Sequence, residues 1–199
     1  MLTQLSTVKA RLALTDLDVQ YDALLTNAIK AITVRFDKET NRALARTVAA
    51  THEFSADDTE IILACYPIET VTKFELKTTE TEGWIEQTAV DFLIRRQCII
   101  SLPFPLSQLS TLNHQLPSAK ATYTGGYLLP GSADILSATR LPDDLEQAAV
   151  EQVAAWFQNR DKLGLDTIWP HQGTYQKFAQ LDLLPPVRAV LTRYTRWTP

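Results

Sequence analysis

One stretch decides the fold: Thr70–Lys77, with the sequence TVTKFELK. Thr72, Phe74 and Leu76 alternate with three charged residues, which is the two-residue period of a strand with one face on the core and one in water. Short segments rich in β-branched and aromatic residues lie on both sides of it, separated by polar turns. Strands are therefore predicted over 47–54, 59–66, 70–77, 84–88, 91–101 and 118–123. Residues 44–124 together predict an antiparallel β unit.

The N-terminal flank predicts two helices. Leu2, Leu5, Val8 and Leu12 form one face of a short first helix. Behind it, Thr15 and Asp18 resemble a capping box at the start of a second helix. The apolar residues of that second helix recur at spacings of three and four, as expected for an amphipathic helix with a core-facing stripe: Leu17, Tyr21, Leu24, Leu25, Ala28, Ile32 and Phe36.

The C-terminal flank is helical again. After Pro142 an apolar stripe runs through Leu145, Ala149, Val153, Trp156 and Phe157, and Gly164 fits the end of that helix. A loop over 166–173 and a short helix over 175–181 are expected next. Pro185-Pro186 then opens a last helix, because proline is tolerated in a first turn.

These patterns predict an α+β fold, in which a small α-helical bundle of about four helices carries an inserted antiparallel β domain. The predicted division assigns 1–43 and 125–199 to the helical bundle, which includes a C-terminal docking helix, and 44–124 to the inserted β unit.

Composition limits the functional classes. The 199 residues are 45% apolar and 21% charged, which is ordinary for a globular domain and argues against disorder or a coiled-coil rod. No signal peptide and no membrane span are expected from the N-terminus or the apolar runs. The formal charge of −4 disfavours a non-specific DNA binder. Residues 174–199, with four basic residues and one acidic residue, are the one clearly basic part.

The residue patterns of catalysis and metal binding are missing from the sequence. The Gly125-Gly126 pair lacks the lysine and hydroxyl of a phosphate loop, and is interpreted as a strand-ending turn that needs a positive φ. Cys65, Cys98 and the three histidines lack the spacing of a zinc site. The adjacent carboxylates Asp57-Asp58 and Asp143-Asp144 are interpreted as a turn and as helix N-terminal charge. The prediction is a protein that is not an enzyme and has no catalytic residues, metal or cofactor.

The chain resembles the head–tail connector (adaptor, or head-completion) proteins of long-tailed bacteriophages and prophages. The order of several structural signatures carries the resemblance: the helix pair Leu5–Phe36, the runs Cys65–Val71 and Ala89–Phe92, the glycine turn Ala121–Tyr127, the helix start Leu141–Ala148, the segment Trp156–Gly164, and the last helix Leu184–Leu191 with Tyr194.

That resemblance implies a structural virion protein of the neck, assembled in the bacterial host cytoplasm. Such proteins form a ring with twelve-fold symmetry under the portal. The ring extends the DNA channel and offers a platform to a downstream neck or tail-completion protein. DNA only passes through the ring, and no membrane is involved. The C-terminal helix of the family docks on the portal protein, so the expected portal-binding residues are Val187, Arg188, Val190, Leu191, Arg193, Tyr194, Arg196 and Trp197.

Two other functions share some of these features. A tail-completion or neck protein would bind the tail tube rather than the portal. A DNA-packaging accessory protein would bind DNA through Arg188, Arg193 and Arg196, although the net charge argues against it.

Overall fold

The computed structural model describes residues 1–15, 17–109, 117–160, 167–168, 176–177 and 182–196. The chain divides into two compact units. A helical unit contains Met1–Thr40 and Leu141–Thr195, and a β unit contains Asn41–Arg140 and Arg196–Pro199. This combination of helices and antiparallel sheets confirms the predicted α+β class.

The predicted boundary at 124/125 differs from this division, since 125–140 belong to the β unit. The cause is backbone pairing beyond the last long strand. The Tyr127 N–H donates to the Leu44 carbonyl at 2.8 Å, the Arg46 N–H donates to the Tyr127 carbonyl at 2.9 Å, and the Leu128 N–H donates to the Thr139 carbonyl at 2.8 Å.

Four α-helices lie in the described part of the helical unit: α1 (Leu5–Arg11), α2 (Asp22–Thr40), α3 (Asp143–Gln158) and α4 (Pro185–Tyr194). Helix α2 contacts α1, α3 and α4, and α3 contacts α1 and α4. The apolar face of α3 is buried at Leu145, Ala149, Val153 and Phe157, as its periodicity predicts. None of the described helices is long and apolar enough to cross a membrane.

The buried stripe of α2 differs in part from the prediction. Leu25, Ile32 and Phe36 are buried, but Leu17 is 89% exposed and Leu24 is also exposed. For Leu17 the reason is the position of the helix start. Thr15 and Asp18 do contact each other, through Thr15 N–H and Oγ1 at 2.8 and 2.9 Å from Asp18 Oδ2. Helix α2 nevertheless begins only at Asp22, so Leu17 lies outside the helical period.

The β unit contains seven strands among the residues described, in two antiparallel sheets. These are β1 (Thr47–Ser55), β2 (Glu60–Ile62), β3 (Ile68–Lys77), β4 (Ile85–Gln87), β5 (Leu93–Arg95), β6 (Ile99–Ser101) and β7 (Ser118–Gly125). The strand order is β1-β7-β3-β4 in the larger sheet and β2-β6-β5 in the smaller. One apolar core, which includes Leu63, Phe74, Ile100 and Tyr123, packs between their strands.

Two sequence-based elements require correction. The single strand predicted over 91–101 is a hairpin of β5 and β6, because Arg96 and Gln97 adopt φ of 50° and 58° and reverse the chain. The helix predicted over 175–181 is contradicted at Gln176–Lys177 (β9), which pairs antiparallel with Thr167–Ile168 (β8). Gly164 and the rest of 175–181 lie outside the described residues. Helix α3 itself ends at Gln158.

The charged face of β3 is less exposed to solvent than its alternation predicts. Glu75 is buried and lies between two cations, with its carboxylate oxygens 3.1 Å from Lys73 Nζ and 3.0 Å from Lys120 Nζ. The Lys120 ammonium also lies 4.3 Å from the centre of the Trp84 ring. Pairing with opposite charges makes the burial of this carboxylate tolerable.

The Gly125-Gly126 turn is a strand-ending turn, as predicted. Strand β7 ends at Gly125, and Gly126 has φ +100°. A Cβ on Gly126 would lie 2.6 Å from the Ala45 carbonyl oxygen and 2.9 Å from the Cα of Arg46. A Cβ on Gly125 would lie 2.6 Å from the Cys65 carbonyl oxygen. Three backbone segments therefore meet here at distances that only glycine permits.

Candidate partner-binding surface

Helix α4 begins as its sequence predicts. Pro185 and Pro186 occupy its first turn, where a missing N–H costs little because that N–H has no partner inside the helix. The segment that leads into the helix is held by α3. The side chain of Gln152, fully buried, accepts from the Leu184 N–H at 2.8 Å and donates to the Asp182 carbonyl at 3.2 Å.

The carboxylate of Asp182 supplies a second anchor. It accepts a hydrogen bond from Arg188 on α4, lies 3.2 Å from Arg35 on α2, and accepts from the Leu183 N–H at 2.8 Å. The pKa of Asp182 is lowered, first by the Arg188 hydrogen bond and next by the Leu183 N–H. Neither Asp182 nor Gln152 was among the predicted site residues. The one sequence signal that could have identified Gln152 is its position as a polar residue within the apolar stripe of α3.

The Asp182 contacts predict a pH effect on stability. A carboxylate with a lowered pKa in the folded state stabilises the fold above its unfolded pKa, and this contribution is lost as the pH falls through the folded pKa. Asp182→Asn is therefore expected to lower the melting temperature at pH 7, with a difference from the unsubstituted protein that shrinks below about pH 4. Thermal unfolding between neutral and acidic pH measures this. Asp134→Asn, at an exposed ion pair with Arg140, is the control. A difference that stays constant with pH would contradict the prediction.

The structure places seven of the eight predicted portal-binding residues, all but Trp197, in different surroundings. Val187 and Leu191 are 2% and 3% exposed and belong to the core of the helical unit. Val190 and Tyr194 are half-buried, and the Tyr194 hydroxyl donates to Asp144 Oδ1 on α3 at 2.7 Å. Arg188 and Arg193 are exposed. Among the residues described, Arg193 has no ion-pair or hydrogen-bond partner, so its charge is available to a partner.

Arg196 belongs to the β unit rather than to the helical unit. Its guanidinium donates to the Ile62 carbonyl. The pKa of the nearby His52 imidazole is lowered, mainly by burial and further by the Arg196 charge. Trp197, the last residue of the predicted surface, lies outside the described residues.

The other residues considered for chemistry are dispersed in the described parts of the chain. The Cys65 thiol is buried and donates to the Gly125 carbonyl at 3.1 Å, and the Cys65 N–H donates to the Tyr123 hydroxyl. Asp57 lies in a turn after β1, in which the Asp58 N–H donates to the Ser55 carbonyl at 3.0 Å, and its carboxylate accepts from the Ser107 hydroxyl at 2.6 Å. No group of three or more His, Cys, Asp or Glu residues that could hold a metal ion occurs within the described ranges. His114 and His171 lie outside them.

Comparison with known proteins gives fold-level matches. No family model matches the sequence, and no curated protein matches it. A chain from the neck of an empty gene transfer agent (GTA) particle, computed with C6 symmetry, superposes with a TM-score of 0.58 at 16% identity, covering 98% of this chain and 89% of that one. A chain from the neck of the native GTA particle, computed with C12 symmetry, gives 0.51 at 16% identity, over 96% and 89%.

A chain from the virion of the native GTA particle gives a TM-score of 0.50 at 17% identity, over 89% of this chain and 79% of that one. These chains share their fold with this protein over nearly its full length. The resemblance to neck proteins of phage-like particles, recognised from the order of the sequence signatures, is confirmed at the level of the fold.

Proposed function

We propose that this protein is a head–tail connector, a structural neck protein that forms a ring under the portal of a phage or prophage particle. The observation that carries the proposal is the fold shared with GTA neck chains over both units, which includes the inserted β unit as well as the helices. The symmetry of those necks supports assembly as a closed ring. In such a ring the protein extends the DNA channel and offers a platform to a downstream neck or tail-completion protein.

The charge of the chain supports this role. A channel that lets DNA pass must not hold it, and each contact between a cation and a phosphate adds affinity. The protein carries 23 acidic residues against 19 basic ones. In the proposed role the protein is structural rather than catalytic, DNA moves through the ring, and no membrane is contacted.

The C-terminal helix is the proposed portal-binding element. Val187 and Leu191 fix α4 to the helical unit, with Val190 and Tyr194 at the margin of that contact. This leaves Arg193 to meet acidic groups of the portal. Arg188, Arg196 and Trp197 are the other proposed contacts, and Arg188 and Arg196 would exchange Asp182 and the Ile62 carbonyl for groups of the portal. Opposite charges across an interface favour the correct partner and orientation.

Electron microscopy of a lysate from a phage or induced prophage that lacks this gene tests the proposal. The expected result is DNA-filled or leaking heads that are separate from complete tails. Joined, normal particles would contradict it. Binding of the purified protein to isolated tail tubes but not to portals would instead favour a tail-completion protein. A shift of DNA in a gel at low salt would favour the packaging accessory.

A charge reversal tests the α4 surface. Arg193→Glu is expected to weaken binding to the portal protein by about tenfold, because it replaces an attraction of about 1 kcal/mol with a repulsion. Arg193 is exposed and unpaired among the described residues, so the melting temperature should not change.

Arg193→Lys, which keeps the charge, and Arg96→Glu, which reverses an exposed charge on the β5–β6 hairpin, are the matched controls. Both should bind like the unsubstituted protein. Equal weakening by Arg96→Glu would show that net charge, and not α4, controls binding.

A further inference from the structure

A ring held by cyclic symmetry needs two different surfaces on each copy, one of which fits the other on the next copy. The β unit carries one projection and one recess that match this requirement. The projection is the loop 129–138, which follows β7. The recess lies between β3, β4 and the segment 88–92.

The projection has an apolar tip. Leu136 is 108% exposed, and Ile135 beside it is also exposed. Yet the loop has a defined conformation: the Ala138 N–H donates to the Ile135 carbonyl at 3.0 Å, and the Ser132 N–H donates to the Leu129 carbonyl at 3.1 Å. A leucine held at the tip of an ordered turn, with no contact to its own chain, suits insertion into another molecule.

The recess has a mixed lining with an apolar part. It is a pocket of about 310 Å³ in which Val71, Phe74, Val90 and Phe92 lie beside polar residues such as Thr72 and Gln87. Phe74 belongs to the buried core, and the other three apolar residues are partly buried against it. Their outer surfaces therefore remain available to an aliphatic side chain. A pocket of this size is near the lower limit for small-molecule sites and is large enough for a short apolar tip.

The charges beside the two features allow one new pairing. Asp134, next to the tip, and Arg140, just beyond the loop, form an exposed ion pair at 2.9 Å. Lys73 and Glu86 line the recess, and Lys73 already pairs with Glu75 at 3.1 Å. Arg140 and Glu86 are thus the opposite charges that a docked loop can bring together.

Strand order separates the two features. The loop leaves the sheet beside Ala45, in the segment that leads into β1, whereas the recess lies at β4. Strands β1 and β4 are the two edges of the sheet. One copy can therefore present its loop to one neighbour and its recess to another.

We propose that Ile135 and Leu136 of each copy insert into the recess between β3 and β4 of the next copy, as the repeated contact of the ring. The proposal rests on the ring assembly proposed above and identifies the two surfaces that make it. The occupant of the recess is a second copy of this chain, because a closed ring of identical copies needs two different surfaces on each copy, and the exposed tip and the recess lie towards opposite edges of the sheet.

Disulfide trapping tests the contact. A chain with Leu136→Cys and Thr88→Cys, in a Cys98→Ser background, has one thiol on the loop and one on the wall of the recess, both at exposed positions. Mild oxidation of the concentrated protein is expected to give a ladder of dimers, trimers and larger species on a non-reducing gel. Chains with either cysteine alone should give no ladder. Leu136→Cys with Thr51→Cys, on the exposed side of β1, is the matched control and should give none either.

Complementary variants test the direction of the contact. Leu136→Asp removes the apolar tip and leaves the recess intact, whereas Thr88→Trp fills the recess and leaves the tip intact. Each variant alone should be monomeric under conditions in which the unsubstituted protein assembles. Their equimolar mixture should give dimers and nothing larger in analytical ultracentrifugation, since only one productive contact remains.

Rings that are visible by electron microscopy without a ladder in the double-cysteine chain would overturn this inference and leave the connector role intact. Dimers from Leu136→Cys alone would also overturn it, because they would indicate a symmetric loop–loop contact. A protein that forms no ring, together with joined heads and tails in particles lacking it, would contradict the connector role as well.

Discussion

Gly126→Ala is expected to destabilise the β unit by about 3 kcal/mol, the sum of about 1–3 kcal/mol for a strained backbone and a similar cost for overpacking. Gly126 has φ +100°, and its added Cβ would meet the Ala45 carbonyl at 2.6 Å. The atoms it meets are backbone atoms that are fixed by pairing between Tyr127 and residues 44–46. They cannot move without the loss of those hydrogen bonds.

Urea unfolding measures the cost, and Gly83→Ala is the matched control. Gly83 also has a positive φ, +70°, but a Cβ there meets nothing within 4 Å. Gly83→Ala should therefore cost about 1 kcal/mol, from the backbone conformation alone. Equal effects at both positions would show that the close approach at Gly126 adds nothing. Gly125→Ala, whose Cβ would lie 2.6 Å from the Cys65 carbonyl oxygen, tests the close approach alone, because Gly125 is not among the glycines with a positive φ, and it should cost less than Gly126→Ala.

Gln152→Leu is expected to destabilise the helical unit by about 2 kcal/mol, because it leaves two part-buried backbone groups without their partners. The leucine is similar in size, so packing changes little. The Leu184 N–H and the Asp182 carbonyl lose their contacts to α3. Since these groups lead directly into α4, the start of that helix should loosen as well.

Denaturant unfolding gives the loss of stability, and hydrogen exchange at the Leu184 amide reports the local effect. The Leu184 amide should exchange faster than in the unsubstituted protein. Gln147→Leu is the control, because Gln147 is exposed on the same helix and bonds only to the Glu151 side chain among the described contacts. Unchanged exchange at Leu184 would contradict the role assigned to Gln152.

The fold was predictable where the burial of one face gives a strand or helix a regular spacing of apolar residues. The stripe of α3 follows from having one face on the core, and it was recognised. The alternation of β3 holds for the buried Phe74 and Leu76 only, because Glu75 between them is buried too and Thr72 is exposed. The β5–β6 hairpin was missed because Arg96 and Gln97 adopt positive φ, which sequence patterns associate with glycine and asparagine. Leu17 was assigned to the α2 stripe because the apolar spacing continues on the N-terminal side of the helix. The helical backbone begins only at Asp22.

The candidate surface was less predictable than the fold. The pattern of α4 shows an apolar face and exposed arginines, and both are present. The contacts that position α4 join residues far apart in sequence: Gln152 and Leu184 are separated by 32 positions, and Arg196 and Ile62 by 134. A single sequence does not indicate which side chain meets which carbonyl over such separations.

The insertion of the β unit has a consequence for synthesis. Residues 41–140 leave the ribosome as one continuous block, so the core of the β unit can form while the chain is still growing. Helices α1 and α2 emerge earlier but complete their core only with α3 and α4. Their apolar faces therefore lack the partners α3 and α4 while the whole β unit is synthesised. The N-terminal helix pair is the part of the nascent chain that most needs protection from aggregation.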